Sequence, residues 1–191
     1  LRTLNKVTVD INAPIVLMTY WNPILRMGLE EFSEQAKTSN ISGVIIPDLP
    51  PEEARCWIDI ARSKEIDTIF MVAPTTTSQR LQNIVSLSRG FVYVVSMTGV
   101  TGSALVVSDT VLKIVTDVKS LTSVPVAVGF GVSSPEQAQA LSDVADGVIV
   151  GSALIKKCLE SADETSAIDA VASLSCGIID ALGKNLNSAS D

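Results

Sequence analysis

The stretch that decides the fold is VPVAVGFGVSSPE, residues 124–136. Its first six residues form a short apolar run, typical of a strand buried on both faces of a parallel sheet. A turn bearing Gly129 and Gly131 follows. Ser134 and Pro135 then supply an N-cap and a first-turn proline for a helix. The stretch therefore predicts a strand, a tight turn and a helix, in that order.

The same pattern repeats along the chain. Five further apolar runs, rich in Val and Ile, are PIVLMT at 14–19, GVIIP at 43–47, DTIFMV at 67–72, GFVYVV at 90–95 and DGVIV at 146–150. Between them, apolar residues recur at helical spacing, and the last such stripe runs from 167 to 181, with Gly183 as the expected stop. No proline-rich linker or shift in composition divides the chain, so residues 1–191 are predicted to form a single domain.

Repeated βα units build either an open doubly wound sheet or a closed (βα)₈ barrel, the TIM barrel. The even spacing of the units, and the lack of a G-x-G-x-x-G turn after the first strand, favour the α/β barrel. Six strands would leave two unpaired edges, which a closed barrel does not tolerate. We therefore expect about six of the eight βα units to be present and the first two or so to be missing, in agreement with a chain that starts at Leu1.

Composition narrows the possible partners and chemistry. The net charge is −7, without a basic stripe, which argues against nucleic acid. No continuous apolar run approaches the ~18 residues of a membrane helix, so no membrane partner is expected. The chain has no histidine, which removes Ser-His-Asp chemistry and most zinc sites, and no metal site is predicted. An odd count of widely spaced cysteines suggests reduced thiols inside a cell.

In such a barrel, chemistry takes place where strands run into helices. The first run ends in TYWNP at 19–23, whose Tyr20, Trp21 and Asn22 would suit a flat apolar substrate or would simply pack in the core. Asp48 is the only carboxylate placed directly at a strand end. It could orient a substrate or cap a turn, and a structural or supporting role is favoured.

The last two runs end in glycine-bearing turns, at Gly131 and at Gly151-Ser152, and the second turn opens a short helix. Backbone N–H groups and a helix dipole bind a phosphate without a basic side chain, as in many barrels. The uncharged stretch VSMTGVTGS at 95–103 could close over such a phosphate or be an ordinary loop. The residues alone thus predict a phosphorylated ligand with a flat apolar part, and they do not supply an acid and a base.

Five ordered motifs then resemble one family, the tryptophan synthase α chain. They are PIVLMTYWNPILRMG, GVIIPDLPPEE, FVYVVSMTGVTG, PVAVGFGVSSPEQ and DGVIVGSALIKK. The resemblance extends from about residue 13 to about residue 184 and is closest to cyanobacterial and plastid members. It implies a (βα)₈ barrel lyase that cleaves indole-3-glycerol phosphate to indole and glyceraldehyde 3-phosphate in tryptophan biosynthesis. The family passes indole through a tunnel to a β chain in an α2β2 complex. The resemblance implies no cofactor in this chain, with pyridoxal phosphate only in the β chain.

The resemblance also implies roles for individual residues. Those implied to bind the indole and glycerol part are Tyr20, Asn22, Ile45, Tyr93 and Phe130. Those implied to bind the phosphate are Gly102, Gly131, Gly151 and Ser152. Asp48 and Thr101 are implied to be supporting residues, with Thr101 in a lid over residues 97–109 that helps to place a catalytic aspartate.

The family's two proton-transferring residues, a glutamate and an aspartate, belong to the region before Leu1. No catalytic residue is therefore assigned in this chain, and the 191 residues alone are expected to be inactive. Two alternatives remain: a non-catalytic binding or regulatory partner of a β chain, and another phosphate-binding barrel enzyme. The expected location is the cytoplasm, or the plastid stroma if the source is a photosynthetic eukaryote.

Overall fold

The computed structural model describes residues 12–95, 108–129 and 131–188. The chain divides into two compact units. The first comprises Leu1–Val72 and Thr76–Val92, and the second comprises Ala73–Thr75 and Tyr93–Asp191. Each unit is described by itself below, and the single domain inferred from the sequence stays a prediction.

The first unit contains a parallel sheet with the strand order β1-β2-β3. These strands are β1 (Ile15–Met18), β2 (Ile41–Ile45) and β3 (Asp67–Ile69), and a short β4 (Met71–Val72) follows. The helices of the unit are α1 (Trp21–Met27), α2 (Leu29–Thr38), α3 (Arg55–Ser63) and α4 (Ser78–Leu87). The register pairs Met18 with Ile45 and Ile45 with Ile69, so the carboxyl ends of the three strands lie at one edge of the sheet.

The helices of the first unit bury the faces that their apolar spacing predicts. Trp57 of α3 and Phe32 of α2 are buried, and their ring centroids lie 5.7 Å apart with planes inclined by 57°. A tilted pair of this kind contributes about 0.5–1.5 kcal/mol beyond the burial of its area. Ala36 and Ala61 are fully buried, which brings the helices close to their neighbours. The sequence predicts one strand over the apolar run at 67–72, but the structure divides this run into β3 and β4.

The second unit contains strands in the order β5-β6-β7. They are β5 (Val92–Val95), of which all but the first residue belong to this unit, β6 (Val126–Gly129) and β7 (Gly147–Val148). The helices of the unit are α5 (Asp109–Leu121), α6 (Pro135–Ser142), α7 (Ser152–Glu160) and α8 (Glu164–Ser188). Strands β6 and β7 are parallel, with Val128 opposite Val148. The predicted alternation of strands and helices is therefore confirmed over the described residues.

The paired β6 and β7 are held together at both ends. At the amino end, the Asp146 carboxylate accepts hydrogen bonds from the Val126 N–H (2.8 Å) and from Lys119 Nζ (2.9 Å). At the carboxyl end, the Ile149 N–H donates to the Val128 carbonyl at 2.9 Å. These bonds align the two turns that follow the strands.

Two helix boundaries test the capping predictions. Helix α6 begins as predicted, because the Ser134 hydroxyl accepts from the Gln137 N–H at 3.4 Å. The Gln137 side chain in turn accepts from the Ser133 N–H at 2.8 Å. The predicted stop at Gly183 is wrong, because α8 continues to Ser188. Glycine inside a helix costs only about 1 kcal/mol relative to alanine, so it weakens a long helix without ending it.

One helix among the described residues, at Glu164–Gly183, is long and apolar enough by length and composition to cross a membrane. Only 11% of that window is buried. A soluble protein's core helix passes the same test of length and composition, so this feature is weak evidence for a membrane. It does show that α8 presents much apolar surface.

Candidate functional site

One group of predicted site residues lies in the first unit, at the carboxyl edge of the β1-β2-β3 sheet. The chain leaves β1 at Thr19, whose N–H donates to the Ile45 carbonyl at 3.1 Å. This bond extends the β1-β2 pairing by one residue beyond Met18. The segment after β1 therefore starts beside the segment after β2, which carries Asp48.

Asp48 joins these two segments directly. Its Oδ1 accepts a hydrogen bond from the backbone N–H of Trp21, the first residue of α1, at 2.8 Å. Tyr20 is the N-cap residue of α1, and its own side chain forms no capping hydrogen bond. The carboxylate of Asp48 thus takes the place of a cap, and its charge interacts favourably with the positive end of the helix dipole. This hydrogen bond gives Asp48 a structural contact, and its role beside a substrate stays a prediction.

Helix α1 itself was missed by the sequence analysis, which placed TYWNP at a strand end. Pro23 falls in the first turn of α1, where a proline loses no intrahelical hydrogen bond. A proline two residues after an aromatic pair was the available signal. The short helix fixes the direction in which Asn22 leaves the sheet edge.

Within the first unit, the structure brings three predicted residues to one edge of the sheet. Tyr20 and Asn22 are exposed next to the amino end of α1, and Asp48 is exposed on the adjoining segment. Ile45 is buried within β2, between its partners Met18 and Ile69 on the neighbouring strands. The edge therefore offers an aromatic ring, an amide and a carboxylate above an apolar strand.

A separate group of predicted site residues lies in the second unit, around the end of β6. A Cβ built on Gly129 would lie 2.4 Å from Tyr93 Oη and 2.5 Å from its Cε2. No side chain tolerates such distances, so only glycine lets the Tyr93 ring rest on the β6 backbone. Burial raises the pKa of the Tyr93 hydroxyl, which keeps this group protonated and able to donate a hydrogen bond.

The turn after β6 depends on a second glycine. Gly131 has φ +65°, in the left-handed region that L-residues rarely adopt, and no atom of the described residues lies within 4 Å of where its Cβ would be. The position therefore requires glycine for its backbone conformation and leaves open space beside it. Open space next to a backbone turn is what a close-fitting anion needs.

Helix α7 starts at the same end of the paired strands. Gly151 is its N-cap residue and Ser152 its first residue, and both are exposed. The N–H groups of Leu154 and Ile155 donate to the Gly151 carbonyl, at 3.0 and 3.2 Å. The N–H groups that precede them have no partner within the helix, and they form a suitable site for an anion. Because β6 and β7 are parallel neighbours, this helix end and the Gly131 turn share one edge.

The neighbouring helix α6 is different, because its own side chains occupy its first turn. Ser134 caps it, and the Ser134 hydroxyl hydrogen-bonds Glu136 and lowers the pKa of that carboxyl, with help from the helix backbone. Helix α7 has no side-chain cap among the described residues and no acidic residue in its first turn. The start of α7 therefore attracts an anion more strongly than the start of α6, where Glu136 offsets the helix dipole.

Three predicted site residues, Thr101, Gly102 and Phe130, lie outside the described residues, as does most of the predicted lid at 97–109. Among residues 12–95, 108–129 and 131–188, no group of three or more His, Cys, Asp or Glu side chains could hold a metal ion.

Comparison with known proteins gives a consistent result. The sequence model of the family described as tryptophan synthase alpha chain matches residues 1–181. The tryptophan synthase alpha chain of Prochlorococcus marinus is 46% identical over 156 residues, which are 81% of this chain and 59% of the relative. That of Methanocaldococcus jannaschii is 43% identical over 157 residues, which are 82% of this chain and 56% of the relative.

Solved structures of related proteins superpose well on this chain. Tryptophan synthase of Mycobacterium tuberculosis matches with a TM-score of 0.85 at 36% identity, over 95% of this chain and 66% of that one. The tryptophan synthase α2β2 complex of Pyrococcus furiosus matches with a TM-score of 0.83 at 38% identity, over 94% of this chain and 71% of that one. These matches confirm the predicted fold class, an α/β fold of the (βα)₈ barrel type.

The chain spans less than two thirds of the length of the curated relatives that it matches, 59% in the case of Prochlorococcus marinus. Within that span, the family match includes both strand edges at which the predicted site residues gather. The chain therefore belongs to the tryptophan synthase alpha chain family.

Proposed function

We propose that this chain is the larger part of an indole-3-glycerol-phosphate lyase, the α subunit of tryptophan synthase. The reaction is a retro-aldol cleavage to indole and glyceraldehyde 3-phosphate. The proposal rests on one observation. The Gly131 turn and the start of α7, which has no side-chain cap, lie at the same edge of the paired strands β6 and β7. Such an edge binds a phosphate monoester through backbone N–H groups.

The phosphate of the substrate binds, in this proposal, between the Gly131 turn and the first turn of α7. The N–H groups at Gly151 and Ser152 supply donors, and the helix dipole supplies the attraction for the dianion. Tyr93 lies on Gly129, two residues before the turn, and its protonated hydroxyl can donate to the glycerol part. The family resemblance implies that Gly102 and Phe130, which lie outside the described residues, also contact the substrate.

The indole ring binds against Tyr20, Asn22 and Ile45. A flat aromatic ring gains from stacking on tyrosine and from burial against a branched aliphatic side chain, while an amide can bond the ring N–H. Asp48 acts as a positioning residue, because its hydrogen bond to the Trp21 N–H sets the start of α1 and thus the places of Tyr20 and Asn22.

The chemical step needs an acid that protonates C3 of the indole and a base that takes the proton of the glycerol hydroxyl. We assign neither role to a residue of these 191. The Asp48 carboxylate is engaged by the Trp21 N–H. The family's glutamate and aspartate would precede Leu1, with Thr101 helping to place the aspartate. The 191 residues alone would therefore bind substrate without cleaving it.

The proposed partner is a tryptophan synthase β chain. The matched Pyrococcus furiosus structure is of an α2β2 complex, which supports the same assembly for this chain. Pyridoxal phosphate would belong to the β chain alone. The relatives described above come from prokaryotes, which supports a location in the cytoplasm. The plastid stroma stays a prediction.

The test uses two polypeptides, the 191-residue chain and the same chain extended by the in-frame coding sequence upstream of Leu1. Calorimetry measures the binding of indole-3-glycerol phosphate, and chromatography measures indole and glyceraldehyde 3-phosphate. We expect both polypeptides to bind and only the extended one to release the two products in equal amounts.

If the 191-residue chain releases indole, it must itself contain the catalytic acid and base, and this part of the proposal is wrong. An extended chain that raises the turnover of a β chain without releasing indole would instead show a regulatory partner. Failure of both polypeptides to bind indole-3-glycerol phosphate would remove the lyase proposal altogether.

A further inference from the structure

Gln137, the third residue of α6, makes hydrogen bonds that reach beyond its own helix. In a capping box, the side chain at this position accepts from the backbone N–H of the N-cap residue, which here is Ser134. The Gln137 Oε1 instead accepts from the backbone N–H of Ser133 at 2.8 Å and from the Ser133 hydroxyl at 3.1 Å. Because a backbone N–H can only donate, the amide atom that faces it is the oxygen. Gln137 is thus bound to the turn that precedes the helix.

These bonds are not needed to begin the helix. The start of α6 already has the Ser134 hydroxyl as a cap, Pro135 in the first position and the Glu136 carboxylate beside the positive end of the helix dipole. The Ser133 N–H belongs to the residue before the N-cap, so it is a donor of the turn and not of the helix. Gln137 therefore satisfies a group of the turn.

The turn that Gln137 holds is the one that carries Gly131. Gly131 is exposed, and glycine adopts many backbone conformations unless its neighbours restrain it. The next residue, Val132, is only 2% exposed, so its side chain anchors the backbone by burial. Ser133 follows, bonded to Gln137. The carboxyl side of the Gly131 turn is therefore fixed at two successive residues, once by burial and once by hydrogen bonds.

Ser133 belongs to this support and not to the groups that would bind an anion. A serine hydroxyl has one hydrogen to donate, and that of Ser133 is donated to Gln137. The Ser133 backbone N–H donates to the same oxygen. Both donors are engaged, although the residue is exposed and lies two positions from Gly131. An anion at the turn binds other groups, which Ser133 helps to keep in place.

We propose that Gln137 is a positioning residue of the phosphate site: through Ser133 it holds the Gly131 turn in the conformation that binds the substrate phosphate. The inference rests on the proposed function and describes how that site is kept ready for indole-3-glycerol phosphate. A preorganised turn binds more tightly because it loses less conformational entropy when the ligand arrives. Without the Gln137 acceptor, the turn must be ordered at the moment of binding, and the affinity falls.

The experiment compares two substitutions at Gln137 in the 191-residue chain. Gln137→Met keeps a similar length but offers only a weak sulfur acceptor, whereas Gln137→Glu keeps an acceptor oxygen. Calorimetry measures the affinity for indole-3-glycerol phosphate in about 0.5 M salt, which screens the charge that glutamate adds. We expect Gln137→Met to weaken binding about tenfold and Gln137→Glu to weaken it by no more than about threefold.

The matched control is Gln139→Met on the same helix. Residues two apart on a helix do not share a face, so Gln139 lies on a different face from Gln137. The same substitution there should leave the affinity within about twofold of the parent. If Gln137→Met does not fold, Gln137→Asn replaces it, because the shorter side chain withdraws the oxygen from Ser133.

Amide hydrogen exchange separates positioning of the turn from stability of the helix. The Ser133 N–H donates to Gln137, and the Ala138 N–H donates to the Ser134 carbonyl at 3.2 Å in the first turn of α6. Gln137→Met should speed exchange at Ser133 about tenfold or more and leave exchange at Ala138 within about threefold. Equal acceleration at both amides would show that α6 itself frays, and the positioning role would be wrong.

A double-mutant cycle tests the assignment of Ser133. Ser133→Ala removes the hydroxyl and keeps the N–H, so it should weaken binding by less than about threefold. Combined with Gln137→Met, it should add almost nothing, because the partner of the hydroxyl is already gone. A full additional loss would make the Ser133 hydroxyl a ligand of the phosphate and would overturn the proposal.

The remaining outcomes separate this inference from the lyase assignment. If Gln137→Met binds indole-3-glycerol phosphate as tightly as the parent, or if Gln139→Met weakens binding equally, the positioning role is wrong and the lyase proposal is untouched. If binding depends on Gln137 but the chain extended upstream of Leu1 releases no indole, the positioning role stands and the lyase assignment fails. A parent chain that does not bind indole-3-glycerol phosphate, alone or extended, would overturn both.

Discussion

The ring of Tyr93 lies directly on the backbone of Gly129, with the hydroxyl oxygen 2.4 Å from where a Cβ would stand. This contact connects β5 to the last residue of β6, just before the turn that carries Gly131. It holds a hydroxyl donor of raised pKa beside the proposed phosphate and glycerol site. Position 129 therefore requires glycine because a side chain there would occupy the space of the Tyr93 ring.

The first prediction concerns this contact. Gly129→Ala should lower the free energy of unfolding by about 1–3 kcal/mol, because the added methyl group forces the Tyr93 ring out of its place. The matched control is Gly147→Ala on the paired strand, where the added Cβ would lie at an ordinary 3.6 Å from Ala127 Cβ. Urea unfolding of the three proteins measures the difference, and we expect the control to stay within about 0.5 kcal/mol of the parent.

A double-mutant cycle checks the cause. Tyr93→Val removes the ring, so adding Gly129→Ala to that variant should cost much less than adding it to the parent. Equal costs in both backgrounds would mean that the Tyr93 contact is not the source of the effect.

The second prediction concerns the capping role of Asp48. Asp48→Ala should destabilise the chain by about 1 kcal/mol, because the Trp21 N–H loses its acceptor and the start of α1 loses a favourable charge. Asp48→Asn keeps an acceptor oxygen and should cost less. Asp59→Ala, at an exposed carboxylate on α3, serves as the control for loss of charge.

Substrate affinity separates positioning from stability for Asp48. If Asp48 sets the places of Tyr20 and Asn22, Asp48→Ala should weaken indole-3-glycerol phosphate binding and Asp48→Asn should weaken it less. If Asp48→Ala lowers the stability but binds indole-3-glycerol phosphate as tightly as the parent, Asp48 has a structural role only.

The third prediction concerns pH and Asp146. Burial raises the pKa of this carboxyl, but the hydrogen bonds from Lys119 and the Val126 N–H, together with the Lys119 charge, outweigh it, and the net pKa is lowered. The native state therefore favours the carboxylate. Its stabilising contribution is present above the unfolded pKa of about 4, and it is lost as pH falls through the lowered native value.

Asp146→Asn should thus destabilise the chain at pH 7 and approach the parent once the pH has fallen below the lowered native pKa. The side chains are partly exposed, so the expected difference at pH 7 is at most about 1 kcal/mol. Asp117→Asn, which breaks only the Lys113 pair within α5, is the control. Thermal unfolding at several pH values gives the comparison, and a constant gap between Asp146→Asn and parent at all pH values would contradict the linkage.

The fourth prediction separates phosphate binding from backbone strain. Gly131 and Gly28 both have positive φ, of +65° and +92°, and no atom of the described residues lies within 4 Å of either would-be Cβ. Alanine at either position should cost about 1–3 kcal/mol of stability, because L-residues rarely adopt such a backbone conformation. Only Gly131→Ala should also weaken indole-3-glycerol phosphate binding, by about tenfold or ~1.4 kcal/mol, as measured by calorimetry. If both variants bind indole-3-glycerol phosphate with equal affinity, the phosphate does not bind at the turn after β6.

The order of strands and helices was predictable because it follows from local patterns. Runs of Val and Ile locate strands that both faces of a sheet bury, and stripes such as Val111, Val115 and Val118 locate buried helix faces. The start of α6 was predictable for the same reason, since Ser134 and Pro135 act within one turn. Failures occurred where local preference is weak: α1 begins at an aromatic pair, and α8 passes through Gly183.

By itself, the sequence determined the α/β repeat, the family and the glycine-bearing turns, because these depend on residue type and spacing along the chain. Only the tertiary structure decided that Asp48 caps α1 from 27 residues away, that Tyr93 occupies the space above Gly129, and that Ile168 and Ile179 of α8 are exposed among the described residues. Such relations join residues far apart in sequence. They depend on strand register and on which faces find a neighbour, and no local pattern carries that information.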